Sequence, residues 1–162
     1  MPYTPILATL GYVLSTDQQR VLMIHRNRRS DDPHWGKYNG LGGKLEPDED
    51  VLTGMQREIR EEAGIECQSM QLRGTVSWPG FGPGGEHWFG FIFLITAYQG
   101  QPFSQNEEGC LAWVDRTCLL ELPLWEGDRS FLPLVFDDDP RAFHGVMKYH
   151  QGRLQSWSFS RS

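Results

Sequence analysis

Three glutamates and an arginine follow a glycine-containing segment at a spacing that could build a metal site. The chain reads Gly43-Lys-Leu-Glu-Pro-Asp-Glu and, after seven further residues, Arg-Glu58-Ile-Arg-Glu61-Glu62-Ala-Gly-Ile65. At about 100° per residue, Glu58, Glu61 and Glu62 share one face of a helix. Like charges at these spacings cost about 0.2–0.5 kcal/mol per pair, and carboxylate oxygens are ligands that Mg²⁺ prefers. The spacing therefore predicts a magnesium site that could receive a diphosphate.

The same segment resembles the Nudix box, because it matches that motif at all of its fixed positions. These positions are Gly43, Glu49, Arg57, Glu58, Ile59, Glu61, Glu62, Gly64 and Ile65. A solvated acidic helix is the competing interpretation, and so many coincident positions disfavour it. The resemblance implies a Nudix hydrolase, which cleaves a nucleoside diphosphate linked to another group. It also implies an α/β fold, the Nudix α/β/α sandwich with a mixed β-sheet.

In the enzymes that this motif resembles, the glutamates of the helix hold metal ions. The resemblance implies that Glu58, Glu61 and Glu62 are catalytic residues and metal ligands, and that the backbone carbonyl of Gly43 completes the shell. The cofactor is then Mg²⁺, for which Mn²⁺ can substitute. Glu58 is the candidate general base, although members of the family differ in which glutamate takes the proton from water.

Two further positions are expected to support this site. Arg57, counted with the catalytic residues, is expected to orient the ligands through a salt bridge with Glu49. Related enzymes often add a carboxylate from a later loop, and Glu108 lies in an acidic segment just before the apolar residues 111–114. Glu108 is therefore a candidate metal ligand, with a plain acidic loop as the alternative. The acidic residues 137–139 are expected to form a solvated turn.

Segments on both sides of the helix resemble the 8-oxo-dGTP diphosphatases within this family, namely residues 35–44, 124–128 and 143–149. The resemblance implies that Asn39 and Asp128 bind the edge of a purine and that Trp125 stacks on its ring. Lys44 is assigned to the same substrate-binding group. Each assignment has a simpler alternative: Asn39 as a turn residue, Trp125 as core, and Asp128 as the N-cap of the following helix.

The glycine-rich segment 79–85 is expected to form a loop that can close on a ligand, because its composition opposes regular structure. Trp78 and Phe81 flank or lie in this loop and are assigned to the opposite wall of the substrate pocket, with buried packing as the alternative. Mammalian relatives carry two adjacent aspartates where this chain has Gly127-Asp128, which leaves the breadth of the substrate range open. The five histidines show no ligand spacing and are expected to have packing or surface roles.

Length and composition limit the possible classes of protein. A chain of 162 residues predicts one domain over residues 1–162. The net charge of −6 opposes binding to a nucleic acid polymer, no apolar run reaches the roughly 20 residues that span a membrane, and the N-terminus lacks the pattern of a signal peptide. Three cysteines without a Cys-x-x-Cys pair indicate buried thiols in a reducing compartment, so we expect a cytoplasmic protein. The oligomeric state is left open.

The periodicity of the chain predicts strands on both sides of one strong helix. We expect a hairpin from residues 6–14 and 21–24, a strand that ends in a flexible glycine turn at 37–43, and a helix at 50–63. Further strands are expected at 70–78, 87–98 and 111–114, a helix at 127–136, and a closing hairpin from 145–149 and 154–159.

Three functions follow from these observations. The first is hydrolysis of a nucleoside triphosphate to a monophosphate and pyrophosphate, with 8-oxo-dGTP or a related oxidised purine nucleotide as the small-molecule substrate. The second is a Nudix hydrolase of another nucleotide diphosphate, such as ADP-ribose or a dinucleoside polyphosphate. The third is a nucleotide-sensing module without turnover, which the intact set of three glutamates disfavours.

Overall fold

Nine strands and three helical segments make up the structure, a computed structural model that describes residues 1–162. The strands are β1 (Ile6–Leu14), β2 (Arg20–His25), β3 (Tyr38–Asn39), β4 (Leu41–Lys44), β5 (Glu66–Trp78), β6 (Trp88–Gln99), β7 (Cys110–Asp115), β8 (Phe143–His150) and β9 (Arg153–Arg161). The helices are α1 (Val51–Ala63) and α2 (Asp128–Phe136), and a short 3-10 helix spans Arg116–Glu121. No helix is both long and apolar enough to cross a membrane.

All nine strands belong to one mixed sheet, as the sequence predicts. The main order is β3-β2-β1-β6-β5-β8-β9, with β4 paired to β1 and β7 paired to β2. β1 runs parallel to β6 and β5 parallel to β8, whereas the other pairs are antiparallel. β1 has two neighbours on one side, because its first half pairs with β4 and its last residues pair with β2.

The alternating side chains of β1 show that both faces of the sheet are covered. Tyr12 belongs to a buried cluster that contains Phe131 of α2. The next residue, Val13, belongs to a second cluster that contains Met55 and Ile59 of α1. Because successive residues of a strand point to opposite faces, α1 and α2 pack on opposite sides of the sheet. This arrangement confirms the predicted α/β/α sandwich.

Helix α1 begins and ends where the sequence predicts. The Asp50 side chain caps the start by accepting a 2.8 Å hydrogen bond from the backbone N–H of Thr53. Gly64 ends the helix in a left-handed conformation with φ of 72°, which glycine adopts without strain. The buried face carries Met55 and Ile59. The acidic positions of the motif are therefore left for the sides of the helix that the core does not cover.

The strand predicted at the start of residues 37–43 is present, but the flexible glycine turn predicted at its end is wrong, because that part forms a second short strand with a different partner. β3 pairs with β2, and β4 pairs with β1. Gly42 and Gly43 belong to β4. A Cβ atom on Gly42 would stand only 1.9 Å from the carbonyl oxygen of Thr9. The glycine therefore permits a close approach between two strands.

The prediction of buried thiols is also wrong for two of the three cysteines. Cys110 and Cys118 are exposed, Cys67 is partly buried, and all three are free. Cys110 is the first residue of β7 and Cys118 lies in the 3-10 helix.

The acidic turn at residues 137–139 is exposed at Asp137 and Asp138, as expected, and a buried arginine also anchors it. Arg73 of β5 has a side chain that is only 3% exposed. Its Nε donates to the carbonyl oxygen of Val135 at 3.0 Å, and its Nη2 donates to the Asp139 carbonyl at 2.9 Å and to Asp137 Oδ1 at 3.1 Å. The guanidinium thus satisfies carbonyl groups that the end of α2 leaves without partners.

Replacement of Arg73 by methionine should destabilise the protein by about 2–4 kcal/mol, because buried carbonyl groups and Asp137 would lose their donor. Urea denaturation of the two proteins measures this difference. The control is Arg60→Met, which removes an exposed ion pair with Glu66 and should cost less than about 1 kcal/mol. Equal losses in the two variants would contradict the anchoring role of Arg73.

Candidate active site

Strand β4 and the exposed side of α1 bring carboxylates against the backbone. A Cβ atom on Gly43 would stand 2.6 Å from the carboxyl group of Glu58, so the glycine leaves the space that this side chain uses. Oε1 of Glu62 accepts a 3.1 Å hydrogen bond from the N–H of Gly42. The Glu58 side chain is 14% exposed. Two of the three predicted ligands thus lie beside the Gly42-Gly43 backbone.

Arg57 lies among the carboxylates and holds several of them. Its Nε and Nη2 donate to the two oxygens of Glu49 at 2.9 and 2.6 Å. This bond is the main reason that the pKa of Glu49 falls to about 2. The Nη1 atom of Arg57 lies 3.0 Å from Glu58 Oε1 and 3.3 Å from Glu61 Oε2. The expected salt bridge between Arg57 and Glu49 is therefore present, and it fixes the guanidinium that orients the other two glutamates.

The loop before β7 carries Glu108 to the same region, and an asparagine fixes the loop. Asn106 Nδ2 donates to the carbonyl oxygen of Glu62 at 3.0 Å, and its Oδ1 accepts from the N–H of Glu108 at 2.8 Å. Glu108 Oε2 lies 3.2 Å from Nη1 of Arg26. The sequence pattern did not indicate a role for Asn106. In the fold, its side chain holds the loop against the C-terminal turn of α1 by binding the backbone carbonyl of Glu62, a predicted metal ligand.

Negative charge concentrates where these elements meet. The pKa of Glu62 is raised well above its usual value of 4.5, first by burial and then by the charges of Glu108 and Glu58. A divalent cation would relieve this repulsion, and the donors present are the hard oxygens that Mg²⁺ prefers. The residues therefore fit such an ion. The side chains do not already form a closed shell of three ligands, since Glu61 is 60% exposed and faces Arg57.

A cavity of about 1190 Å³ opens beside this acidic cluster. Its lining includes Gly43 and Glu108 and all six residues that the sequence assigned to the substrate: Asn39, Lys44, Trp78, Phe81, Trp125 and Asp128. The volume exceeds the range of about 300–1,000 Å³ that is typical of small-ligand pockets. One opening therefore holds two of the candidate metal ligands, Gly43 and Glu108, and all of the candidate base-binding residues.

Aromatic rings form one wall of the cavity. The ring centroids of Phe81 and Trp125 are 4.9 Å apart at an interplanar angle of 67°, and those of Trp78 and Phe81 are 6.2 Å apart. All three rings also pack against the buried cluster that contains Phe131. These three side chains therefore line the cavity and also pack against the core, so both of the alternatives that the sequence left open apply to them. Aromatic edges fixed by packing present a preformed surface to a ligand.

Asp128 does not cap helix α2. The N-cap is Gly127, and no side-chain hydrogen bond caps the helix, so the capping alternative is wrong. Burial raises the pKa of the Asp128 carboxyl to about 7 against the opposing effect of Arg129. Its charge in turn adds to the effect of burial in raising the pKa of Tyr12 and of Tyr149. The side chain lines the cavity as a carboxyl group that can change its charge near neutral pH.

Three further residues in or near the cavity were not predicted from the sequence as site residues. The hydroxyl groups of Thr9 and Tyr12 are buried without a hydrogen-bond partner, and Thr9 lines the cavity. His34, expected to pack or to lie on the surface, also lines it. The only signal for Thr9 was a polar residue inside an apolar strand. Unpartnered buried hydroxyls cost about 1–3 kcal/mol each, and a ligand that pairs with Thr9 would recover part of that cost.

Comparisons with known proteins identify the class that this fold and site define. The NUDIX domain family matches residues 5–135, so the chain belongs to the Nudix family. It is 34% identical over 141 residues to the Nudix hydrolase YvcI of Bacillus subtilis, covering 85% of this chain and 83% of that one. It is 29% identical over 147 residues to the oxidized purine nucleoside triphosphate hydrolase of Mus musculus, covering 90% of each.

A solved structure extends the similarity to nearly the whole fold. The crystal structure of a MutT protein from Bacillus halodurans superposes with a TM-score of 0.81 at 30% identity. The match covers 96% of this chain and 97% of that one. It therefore includes strands beyond the residues matched by the family as well as the sheet and helices that carry the site.

The raised pKa of Asp128 predicts how stability depends on pH. Below its unperturbed pKa of 3.8 the carboxyl is protonated in the folded and unfolded states alike. As pH rises, the unfolded chain loses this proton first, so the carboxyl reduces the stability of the folded state progressively up to about pH 7. The neutral variant Asp128→Asn lacks this penalty. The gain in stability of Asp128→Asn over wild type should therefore be larger at pH 8 than at pH 4. The expected difference is about 1–3 kcal/mol, with the partial exposure of the Asp128 side chain taken into account.

Urea denaturation of both proteins at pH 4, 6 and 8 measures this difference. The control is Asp138→Asn, because Asp138 is exposed, and its effect should change little with pH. A constant difference between wild type and Asp128→Asn across this range would contradict the burial of a charge at this position.

Proposed function

We propose that the protein hydrolyses a nucleoside triphosphate to a monophosphate and pyrophosphate with the help of a divalent metal ion. The preferred substrate is an oxidised purine nucleotide such as 8-oxo-dGTP, so the protein would cleanse the nucleotide pool. The observation that carries the proposal is one cavity whose lining includes Gly43 and Glu108 beside the acidic cluster together with an aromatic wall, Asn39 and Asp128. The relative from Mus musculus, an oxidized purine nucleoside triphosphate hydrolase, supports this choice of substrate.

The metal would be held by carboxylates of α1 and of the loop before β7. Glu58, Glu61, Glu62 and Glu108, with the carbonyl oxygen of Gly43, supply hard ligands for Mg²⁺ or Mn²⁺. When bound, the ion neutralises the diphosphate and activates it toward attack by water. Glu58 is the candidate base that accepts the proton of the water.

Basic residues of the cavity would attract and orient the phosphate chain. Lys44 follows Gly43 directly and lines the cavity, with Nζ 5.7 Å from the ring centroid of Trp88. Arg29 lines the same cavity. Arg57 is held by Glu49 and would act through the glutamates that it orients. Positive charges next to the acidic cluster favour an anionic ligand that arrives together with a cation.

The other end of the cavity suits a purine. The Trp125 indole provides a surface on which a purine ring can stack, and Trp78 and Phe81 extend the aromatic wall. A carboxylate at Asp128 can accept from the N1–H and the exocyclic amine of a guanine, while the amide of Asn39 can both donate and accept. This combination favours guanine nucleotides over pyrimidine nucleotides.

A turnover screen with identified products tests the proposal. The substrates are 8-oxo-dGTP, dGTP, dATP, dCTP, 8-oxo-dGDP, ADP-ribose and a dinucleoside polyphosphate, each at equal concentration with Mg²⁺. The proposal expects the highest kcat/KM for 8-oxo-dGTP, with 8-oxo-dGMP and pyrophosphate as products. A preference for ADP-ribose or for the dinucleoside polyphosphate would reject it, as would the release of inorganic phosphate alone from 8-oxo-dGTP.

The variant Glu58→Gln should fold normally and lose at least about a hundredfold in kcat, because it removes a metal ligand and the candidate base. Loss of one charge from the acidic cluster should leave the free energy of unfolding unchanged or raise it by a few tenths of a kcal/mol. Steady-state rates and thermal melts measure the two effects. The control Glu66→Gln lies in an exposed ion pair and should retain the wild-type rate.

Removal of the metal provides the matching measurement. Excess chelator should abolish turnover in the wild-type protein, and Mg²⁺ or Mn²⁺ should restore it. The metal together with nucleotide should raise the melting temperature of wild type more than that of Glu58→Gln. Turnover that persists in excess chelator would reject the metal-dependent function.

The variant Asp128→Ala should reduce selectivity rather than chemistry. Loss of a buried acceptor leaves substrate donors unpaired, at about 1–3 kcal/mol, which corresponds to a ten- to hundredfold fall in kcat/KM for 8-oxo-dGTP. A pyrimidine triphosphate that never formed this contact should lose much less. The measurement is the ratio of kcat/KM for 8-oxo-dGTP to kcat/KM for the pyrimidine triphosphate, in wild type and in Asp128→Ala. If the ratio stays at the wild-type value, Asp128 does not read the base.

A further inference from the structure

A histidine far away in the sequence holds the indole of Trp125. The Nε1–H of Trp125 donates a 2.7 Å hydrogen bond to Nδ1 of His34, although the two residues are 91 positions apart. The rings are nearly perpendicular, at 84°, with centroids 5.5 Å apart. The indole has one N–H group and cannot accept a hydrogen bond at that atom. Its only conventional hydrogen bond therefore fixes the plane of the ring to His34.

His34 is in the form that this bond requires. Burial, assisted by the positive charge of Arg26, lowers the pKa of the imidazole to about 4, with Lys37 acting in the same direction and Asp32 opposing. The ring is therefore neutral at physiological pH. Since Nδ1 accepts from the indole, the proton of the neutral ring lies on Nε2.

A buried ion pair holds the backbone of His34 in place. Asp32 Oδ1 accepts from the N–H of His34 at 3.0 Å. The same carboxylate receives two hydrogen bonds from Arg26, at 2.7 and 3.0 Å, and its side chain is only 1% exposed. A mobile loop residue would be a poor support for Trp125. Here the supporting ring is itself anchored through Asp32 to Arg26 of the segment that leaves β2.

The remaining contacts of Trp125 limit where a ligand can approach the ring. Nζ of Lys37 lies 4.7 Å from the ring centroid, and the rings of Phe81 and Tyr149 pack on the indole at interplanar angles of 67° and 83°. These contacts are weakly directional compared with the hydrogen bond to His34. The hydrogen bond to His34 is therefore the most directional of the contacts that set the orientation of the indole.

We propose that His34 is a positioning residue for base recognition, because it holds the Trp125 indole in the orientation that stacks on the purine. This inference rests on the proposed function and adds a specificity determinant that lies outside the motif. His34 acts through Trp125 and takes no part in hydrolysis. Its loss should therefore raise KM for purine nucleotides and leave kcat nearly unchanged.

The test compares two replacements of His34 that differ in one property. His34→Asn keeps an acceptor near the position of Nδ1, whereas His34→Phe keeps an aromatic ring without an acceptor. Trp125→Phe and the double variant His34→Phe with Trp125→Phe complete a double-mutant cycle. Trp113→Phe serves as the control, because Trp113 stacks on Tyr98 in another part of the sheet. Each protein is assayed for kcat and KM with 8-oxo-dGTP and for binding of 8-oxo-dGMP without turnover.

The expected result is a roughly three- to tenfold rise in KM for His34→Phe, which corresponds to the loss of one hydrogen bond, with kcat unchanged. His34→Asn should recover most of this loss. In the Trp125→Phe background, His34→Phe should have little further effect on KM. In ¹⁵N–¹H spectra the indole N–H signal of Trp125 should move upfield in His34→Phe and remain near its wild-type position in His34→Asn. Trp113→Phe should leave KM unchanged.

Several results would overturn the inference. One is a wild-type KM in His34→Phe, and another is a His34→Asn variant as impaired as His34→Phe. Equal effects of His34→Phe in the presence and absence of the Trp125 indole would also reject it, because they assign His34 a role apart from Trp125.

The binding measurement separates this inference from the proposed function. If wild type binds 8-oxo-dGMP and turns over 8-oxo-dGTP while His34→Phe does both equally well, only the inference fails. If wild type binds the monophosphate but releases no pyrophosphate, the proposed function fails, and the effect of His34→Phe on affinity still decides the inference. If wild type binds no purine nucleotide, both are overturned.

Discussion

The bidentate ion pair between Arg57 and Glu49 is the interaction on which the acidic site depends. Three glutamates on one helical turn repel each other, and Glu62 is buried as well, so the bare cluster opposes folding. Arg57 offsets part of this repulsion because its guanidinium contacts Glu58 and Glu61 while Glu49 fixes its orientation. The Glu58 carboxyl remains beside the Gly43 backbone. The charge that the arginine does not neutralise is what would give a divalent cation its affinity.

Close backbone approach brings the parts of the cavity together. β4 can lie against β1 because Gly42 has no side chain to meet the Thr9 carbonyl, and Glu58 can lie beside β4 because Gly43 has none either. Asn106 then binds the loop of Glu108 to the end of α1. The proposed base-binding end is built from other elements, namely the start of α2, the short strand β3 and the aromatic residues Trp78, Phe81 and Trp125. Residues at that end could therefore change without replacement of the proposed metal ligands.

The sequence predicted the features that depend on local spacing. The bounds of helix α1, predicted at 50–63, follow from residues within one segment, and the resemblance to the motif led to the sandwich around a mixed sheet. Contacts between distant segments were not predictable in this way. The bond between His34 and Trp125 joins positions 91 residues apart, and the anchoring of the acidic turn by Arg73 depends on how α2 packs on β5. The spacing of charges along one segment cannot reveal partners that only the folded chain brings near.

Two polar side chains of the cavity carry a cost that a ligand could relieve. Thr9 lines the cavity with a buried hydroxyl that has no partner, and burial raises the pKa of the Asp128 carboxyl, which also lines it. Each of these features destabilises the folded chain, and neither side chain belongs to the apolar clusters of the core. Apolar residues of similar volume at these positions would give a more stable protein. A cavity that retains polar groups at this cost is suited to a ligand with hydrogen-bonding edges, whereas a purely apolar ligand would leave the same groups unpaired. The physical cost of the pocket thus argues for a nucleotide base in it, independently of the acidic motif on α1.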